Sequence, residues 1–284
     1  MAKNRIKIIA LCCICSLALF GVVWSKPQKP RSSQSVDVTY IANAGVMVSH
    51  AENTILIDVF NTHGNPYYLR IPENILQNIE AAKPPFSRIN AVFVTHLHAD
   101  HYDGRAIKRL LKNSPETVLV APRQLCLNFI NTLSLNFYEM HKRQIHAVWQ
   151  GFSNAAHDSV GTMQITVLGL HHGSKKYLEI QNAGLLLNMD GIKILHIGDA
   201  EATSSNFKPF HLRREQIDLA FIPYWFLIYT RHNRQIVDNY IHPKQIVVIH
   251  IPPTDEKEIL NKLHKYYPEA KPLTKPMQKL NFYF

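Results

Sequence analysis

Thr95-His96-Leu97-His98-Ala99-Asp100-His101 packs three imidazoles and a carboxylate into six consecutive positions. It follows directly on Ile89–Val94, an apolar run rich in β-branched residues that predicts a buried strand. Residues i and i+2 leave a strand end on the same side, so His96 and His98 can converge on one ion. A turn then returns Asp100 and His101 to the same space, where they can hold a second. Neutral imidazoles with a carboxylate suit zinc and similar divalent transition metals. A lone histidine is more often a structural or surface residue. Three of them in a His-x-His-x-Asp-His frame at a strand exit predict a metal site, and one with two metals.

Working outward, the 284 residues are 46% hydrophobic, enough for one sizeable core, with no repeat or compositional break to mark a second domain. The first 25 residues stand apart. Lys3, Arg5 and Lys7 precede Ile8–Trp24, an uncharged run of 17 residues, and Val23 and Ser25 are acceptable small residues for cleavage before Lys26. This predicts a signal peptide or an uncleaved signal anchor, with residues 26–35 as a Pro/Ser/Lys-rich linker and residues 36–284 as the body. The body is then expected to be exported, to a periplasmic or extracellular place, either released or held to the membrane by residues 8–24.

Cys12, Cys13 and Cys15 lie inside the apolar run and read as apolar fillers. The body keeps only Cys126, which rules out an internal disulfide or a cysteine cage for metal and reads as a core residue on a helix. The formal charge is +10, of which +7 lies on the body. Its lysines and arginines are scattered, without the Arg/aromatic interleaving of RNA-binding chains, so no specific nucleic-acid partner is expected. A small-molecule or lipid-like substrate is.

Strand patterns run over Val36–Ile41, Gly45–Ser49 and Thr54–Val59, then a helix over Pro72–Lys83 stopped by Pro84-Pro85. After the metal-bearing strand come a helix over Gly104–Lys112, a strand over Thr117–Val120 and a helix over Gln124–Leu135. The second half gives Gln144–Trp149, Met163–Leu170, and the pair Gly184–Met189 and Ile192–Ile197 joined at Asp190-Gly191, a strong hairpin signal. Ile217–Ile222, a helix near Arg234–Ile241, the strand Gln245–His250 and the amphipathic helix Asp255–Lys265 close it. Each half is rich in strands and ends in helices, without regular βαβ alternation. That predicts an α+β fold of two sheets packed face to face and covered by helices.

Three of the later strands end in metal-type donors: His171-His172-Gly173, Gly198-Asp199-Ala200, and His250 before Ile251-Pro252-Pro253. With His-x-His-x-Asp-His ahead of them, the chain resembles the metallo-β-lactamase-fold hydrolases over roughly Val36 to Lys265. The resemblance implies a four-layer αββα sandwich with two divalent ions, zinc foremost, along one edge. His96, His98 and a third histidine would hold the first ion, Asp100, His101 and His250 the second, and Asp199 would bridge them. His172 is the favoured third histidine, because Gly173 allows the tight turn a ligand loop needs; His171 is the alternative.

The β-lactamases of this fold commonly place cysteine where Asp199 stands, so penicillin-type substrates are not expected. Tyr40–Gly45 and Leu56-Ile57-Asp58 look like the general hydrolases, loosely the ascorbate-6-phosphate lactonase and N-acylphosphatidylethanolamine phospholipase D relatives. In that group the Asp58 position is usually a support behind the ligands; a plain strand-end cap is the other reading. Tyr224 and Trp225 are candidates for the substrate pocket, with core or rim packing as the alternative. His196 reads as a buried, hydrogen-bonded histidine.

The expected chemistry is hydrolysis of an ester, lactone or phosphodiester by a metal-bridging hydroxide, with Asp100 orienting it and Asp199 holding the metal pair. The alternative is an exported metal-binding or redox protein on the same fold, of the di-iron or sulfur dioxygenase kind.

Overall fold

Most strands are near-continuous apolar runs, and the computed structural model, which describes residues 35–173 and 175–284, shows what each face buries. The leader read over residues 1–25 lies outside the described residues, as does all of the linker except Ser35. In chain order the strands are β1 (Ser35–Ala42), β2 (Gly45–His50), β3 (Asn53–Ile57), β4 (Ala91–Phe93), β5 (Val118–Ala121) and β6 (Ile145–Ala147). There follow β7 (Ala155–Val160), β8 (Met163–His171), β9 (Gln181–Met189), β10 (Ile192–His196), β11 (Leu219–Pro223), β12 (Gln245–Ile249), β13 (Lys271–Pro272) and β14 (Lys279–Tyr283). They form two seven-stranded sheets, β14-β1-β2-β3-β4-β5-β6 and β13-β12-β11-β10-β9-β8-β7.

Every second residue of both sheets enters one shared core: Val38, Val46, Ile55 and Phe93 from the first, Ile165, Leu185, Ile194 and Phe221 from the second. The opposite faces are covered by helices. Ile41, Leu56, Val92 and Leu119 pack under α1 (Glu73–Glu80), α2 (Gly104–Asn113) and α3 (Arg123–Asn131). Beyond them lies α4 (Leu135–His141). Leu168, Leu195, Ala220 and Val248 pack under α5 (Ser204–Phe207), α6 (Tyr224–Ile228), α7 (Arg231–Ile236) and α8 (Glu256–Tyr266). The result is a four-layer αββα sandwich. Among the described residues no helix is long and apolar enough to cross a membrane.

Several boundaries differ from the sequence reading. The helix expected over Gln124–Leu135 is two, because Thr132 Oγ1 bonds back to the Phe129 carbonyl at 2.7 Å and Ser134 caps α4 by accepting from Phe137 N. The helix expected near Arg234–Ile241 begins at Arg231, capped by Thr230, and ends in a π-helical turn over Val237–Ile241. The helix after Asp255 does not close the fold: β13 and β14 follow, and β14 runs antiparallel beside β1. β7 also escaped the pattern, since Ala155–Val160 lies at a sheet edge and carries exposed polar residues. The hairpin at Asp190-Gly191 forms as expected, with both residues at positive φ and Met189 paired to Ile192.

Phe93 is fully buried between the sheets on the strand that leads into the histidine cluster. Phe93→Ala should lower stability by about 3–5 kcal/mol in urea denaturation; a loss within about 1 kcal/mol would contradict the packing described.

Candidate metal centre

The chain leaves β4 at Thr95, and everything that follows is aimed by one buried carboxylate. Asp58, at the end of β3 and itself inaccessible to solvent, accepts from Thr95 N at 2.8 Å, Thr95 Oγ1 at 2.7 Å and His101 Nδ1 at 2.9 Å. Because the Thr95 hydroxyl proton goes to Asp58, Thr95 Oγ1 accepts from His96 Nδ1, 2.9 Å away. One carboxylate therefore keeps a proton on Nδ1 of two histidines, His101 directly and His96 through Thr95, and turns both Nε2 atoms toward the donor cluster. Asp58 is the support behind the ligands, not merely a strand-end cap.

His98 and Asp100 are placed by a turn. His101 N and Tyr102 N both bond the His98 carbonyl at 3.0 Å, folding the chain back before α2, which Asp103 caps. Asp199 follows Gly198, whose φ of +55° and whose close approach to Asn182 and Thr95 leave no room for a side chain. Asn182 Oδ1 then accepts from Asp199 N at 3.0 Å. His250, at φ +66°, is held where its N–H meets the Asn43 carbonyl in the β1–β2 turn at 3.0 Å.

Two donor groups result, each with its ligand-type atoms within 4.8 Å of one another: His96, His98, His172 and Asp199; and Asp100, His101, Asp199 and His250. Asp199 belongs to both. Its Oδ2 lies 4.0 Å from His96 Nε2 and 3.8 Å from His172 Nε2, and its Oδ1 lies 3.4 Å from His101 Nε2 and 3.3 Å from His250 Nε2. In the second group the remaining separations are 3.5 Å from Asp100 Oδ2 to His101, 3.4 Å from it to His250, and 3.3 Å between the two imidazoles. A tetrahedral ion with ligands at about 2.0–2.1 Å needs edges of about 3.3–3.4 Å. The second group has that size; the first, with His96 Nε2 and His98 Nδ1 3.0 Å apart, is less regular.

The unpaired atoms point the same way. Both His172 nitrogens and Asp199 Oδ1 are buried without a hydrogen bond among the described residues. A cation is the partner such atoms lack.

The structure brings His172, not His171, to this centre. Neighbours on a strand face opposite ways, and the His171 ring stacks on Phe152 at 4.3 Å. The reason differs from the one expected, because Gly173 makes no left-handed turn: its N–H bonds the Asp199 carbonyl at 2.8 Å, tying the two ligand loops together. His196 is buried and hydrogen-bonded, with Ala44 O and Gly198 N as partners.

A family model described as a beta-lactamase superfamily domain matches residues 53–267. The chain belongs to the metallo-β-lactamase superfamily. No curated protein matches the sequence. Among solved structures it is similar to Igni18, a metallo hydrolase from the archaeon Ignicoccus hospitalis, at 16% identity and a TM-score of 0.58, covering 88% of this chain and 99% of that one. It is also similar to an isothiocyanate hydrolase from Delia radicum gut bacteria, at 15% identity and TM-score 0.60, covering 87% and 100%. A third is CmlA, a di-iron β-hydroxylase from Streptomyces venezuelae, at 13% identity and TM-score 0.52, covering 90% of this chain and 55% of that one. Superfamily members bind divalent metals and are mostly hydrolases.

Beside the donors opens a cavity of about 480 Å³, and Tyr224 and Trp225 are among the residues that line it. Phe226, between α6 and the sheet, is core. Sequence reasoning missed Tyr68 and Tyr177, which come from loops with no periodic signal. The Tyr68 ring meets His250 edge-on at 4.3 Å, and Tyr177 meets His98 at 4.6 Å. Asn43 was also missed as a contributor: its Nδ2 donates to Asp100 Oδ2 at 3.2 Å. Only the positive φ tolerated by Asn in a turn hinted at it.

The two groups differ in protonation. Burial holds His96 and His98 below the ordinary imidazole value and takes His172 down to about 4, so the first set is neutral near pH 7. Burial also pulls on His101 and His250, but the carboxylates around them win. Asp199, Asp100 and Asp58 raise His101 well above its usual value, and Asp199 with Asp100 takes His250 to about 9. Burial would raise Asp100 and Asp199, yet the facing His101 and His250 hold both below the usual carboxylate range.

A cation entering the second set must therefore displace protons, whereas one entering the first meets neutral ligands. Zinc titration calorimetry of chelator-treated protein between pH 6 and pH 9 should resolve two classes. One should be nearly independent of pH, and the other should strengthen as pH rises and release protons in buffers of different ionisation enthalpy. Two classes with the same pH dependence would contradict this assignment.

Proposed function

We propose that this protein is a metal-dependent hydrolase of an ester, lactone or phosphodiester. His96, His98 and His172 would hold one divalent ion, Asp100, His101 and His250 a second, and Asp199 would serve both, with zinc as the metal. The observation that carries this reading is the shared Asp199 carboxylate, one oxygen turned to each histidine set, beside a donor group of tetrahedral size. When bound, such ions polarise a substrate oxygen and lower the pKa of water.

The chain's own residues do the positioning. Asp58 and Thr95 turn the Nε2 atoms of two imidazoles toward the donor cluster, and Asn43 orients Asp100 by donating to its Oδ2. The phenol of Tyr68 makes no hydrogen bond within the protein among the described residues and borders the cavity, so it is placed to donate to a substrate oxygen. Burial, then the nearby Asp199 and Asp100, raise its pKa, keeping it a neutral donor across the working pH range.

Elemental analysis of protein purified without chelator should find close to two zinc ions per chain. Asp199→Ala and Asp100→Ala should each abolish hydrolysis of generic phosphodiester, lactone and thioester substrates. His172→Ala should lose metal from the first set while His171→Ala stays near wild type. Negligible metal after metal-replete growth would overturn the site, and two irons with oxygen-dependent turnover would favour the redox alternative instead.

The basic start and uncharged run of residues 1–25 further support delivery of the body across a membrane. Residues 1–35 fused to a reporter active only outside the cytoplasm should give signal. No signal, with full-length protein in the soluble cytosol, would refute export.

A further inference from the structure

The cavity beside the metal centre has an unusual wall for a chain of formal charge +10. Among the residues whose side chains the structure describes, no Lys or Arg lines it. An enzyme built for a multiply charged anion, such as a sugar phosphate, would place an arginine fork there. Instead five aromatic side chains border it: Tyr68, Tyr177, Tyr224, Trp225 and Tyr229.

Their arrangement is box-like. The Tyr224 ring stands at 81° to Trp225, with centroids 5.4 Å apart, and at 88° to Tyr229, with centroids 5.6 Å apart. The rings thus meet edge to face around the cavity they line. The box is braced: Tyr224 and Tyr229 share a hydrogen bond of 3.0 Å between their hydroxyls, and Asn233 Nδ2 holds the Trp225 carbonyl at 3.1 Å. Trp225 also packs on His250, 5.1 Å away, and Tyr177 on His172, 4.9 Å away, so the box abuts both donor sets. Tyr177 already has the ammonium of Lys176 5.4 Å from its centroid.

Among the described residues, Glu201 is the one acidic side chain on this wall outside the metal donors. It is half-buried and forms no ion pair among the described residues. Aromatic faces attract cations through the ring quadrupole, most strongly for tryptophan, and a carboxylate at the same wall adds a counter-charge.

We propose that the cavity is an ammonium-binding subsite, so that the scissile ester or phosphoester carries a quaternary or primary amine, as choline and ethanolamine derivatives do. This rests on the hydrolase reading and names its substrate class. Hydrolysis adds water across the ester bond, returning the acid at the metals and leaving the amino alcohol in the box.

The test separates the two readings by measuring binding apart from turnover. In calorimetry on the metal-loaded full chain, choline should bind at least about tenfold more tightly than 3,3-dimethylbutan-1-ol, which has the same shape without the charge. Trp225→Leu should erase that preference. Glu201→Gln should weaken choline severalfold and leave the neutral alcohol unchanged, with metal content confirming that both variants fold.

In turnover, a choline ester should be preferred over its 3,3-dimethylbutyl counterpart by a similar factor. Comparing phosphatidylcholine vesicles with glycerophosphocholine tells a lipid headgroup from a soluble one. Equal binding of choline and the neutral alcohol would reduce the box to an apolar pocket and overturn the proposal, as would binding of neither. Loss of all hydrolysis with choline binding intact would fault the hydrolase reading alone.

Discussion

The bond that everything else in the centre depends on is the one from His101 Nδ1 to the buried Asp58. Asp58 is closed off from solvent, and the protons of Thr95 and His101 are what its oxygens accept. That pairing fastens the end of β3 to the exit of β4 and fixes which ring nitrogen of each histidine faces the donor cluster. A structural requirement and a chemical one are met by the same three hydrogen bonds.

The centre sits on the seam of the sandwich, and the seam is stitched by backbone. Ala183 N bonds the Thr95 carbonyl at 2.8 Å, joining β9 of one sheet to the strand exit of the other. His250 N bonds the Asn43 carbonyl, joining the end of β12 to the turn between β1 and β2. Gly198 lies against Thr95 with no space for a Cβ. Donors from four separate segments thus keep their spacing because the two sheets share one core, in which Phe93 and Phe221 are fully buried. A loose sandwich would blur separations that a small cation reads to a few tenths of an ångström.

What was legible in the sequence was whatever a local rule controls. His96, His98, Asp100 and His101 were readable because a strand exit and one turn hold them, and Asp199 and His250 because each terminates an apolar run. His172 was named for a turn that Gly173 does not make; strand alternation, which does decide it, needs the register of β8. The edge strands β7 and β14 were invisible because one polar face and no covering layer leave only a weak alternation. Tyr68, Tyr177, Asn43 and Asn182 were missed for a different reason. Tyr68, Tyr177 and Asn43 are placed outside the regular strands and long helices, and Asn182 sits at the start of β9 ahead of its apolar run; only tertiary packing fixes what they meet.

The same cluster must survive both with and without its ions, and its protonation pattern shows how. Asp58, Asp100 and Asp199 lie in a region from which water is largely excluded, and three carboxylates so close would repel one another if nothing balanced them. Without metal, His101 and His250 take up protons and become the counter-charges, as their raised pKa values express. A divalent ion held by the second set would displace those protons and supply positive charge in their place. The first set behaves otherwise, since burial keeps His96, His98 and His172 neutral. Loading the second set is thus an exchange of charge, not an addition. That exchange lets one fold hold seven polar ligand candidates in a largely buried seam before any cation arrives.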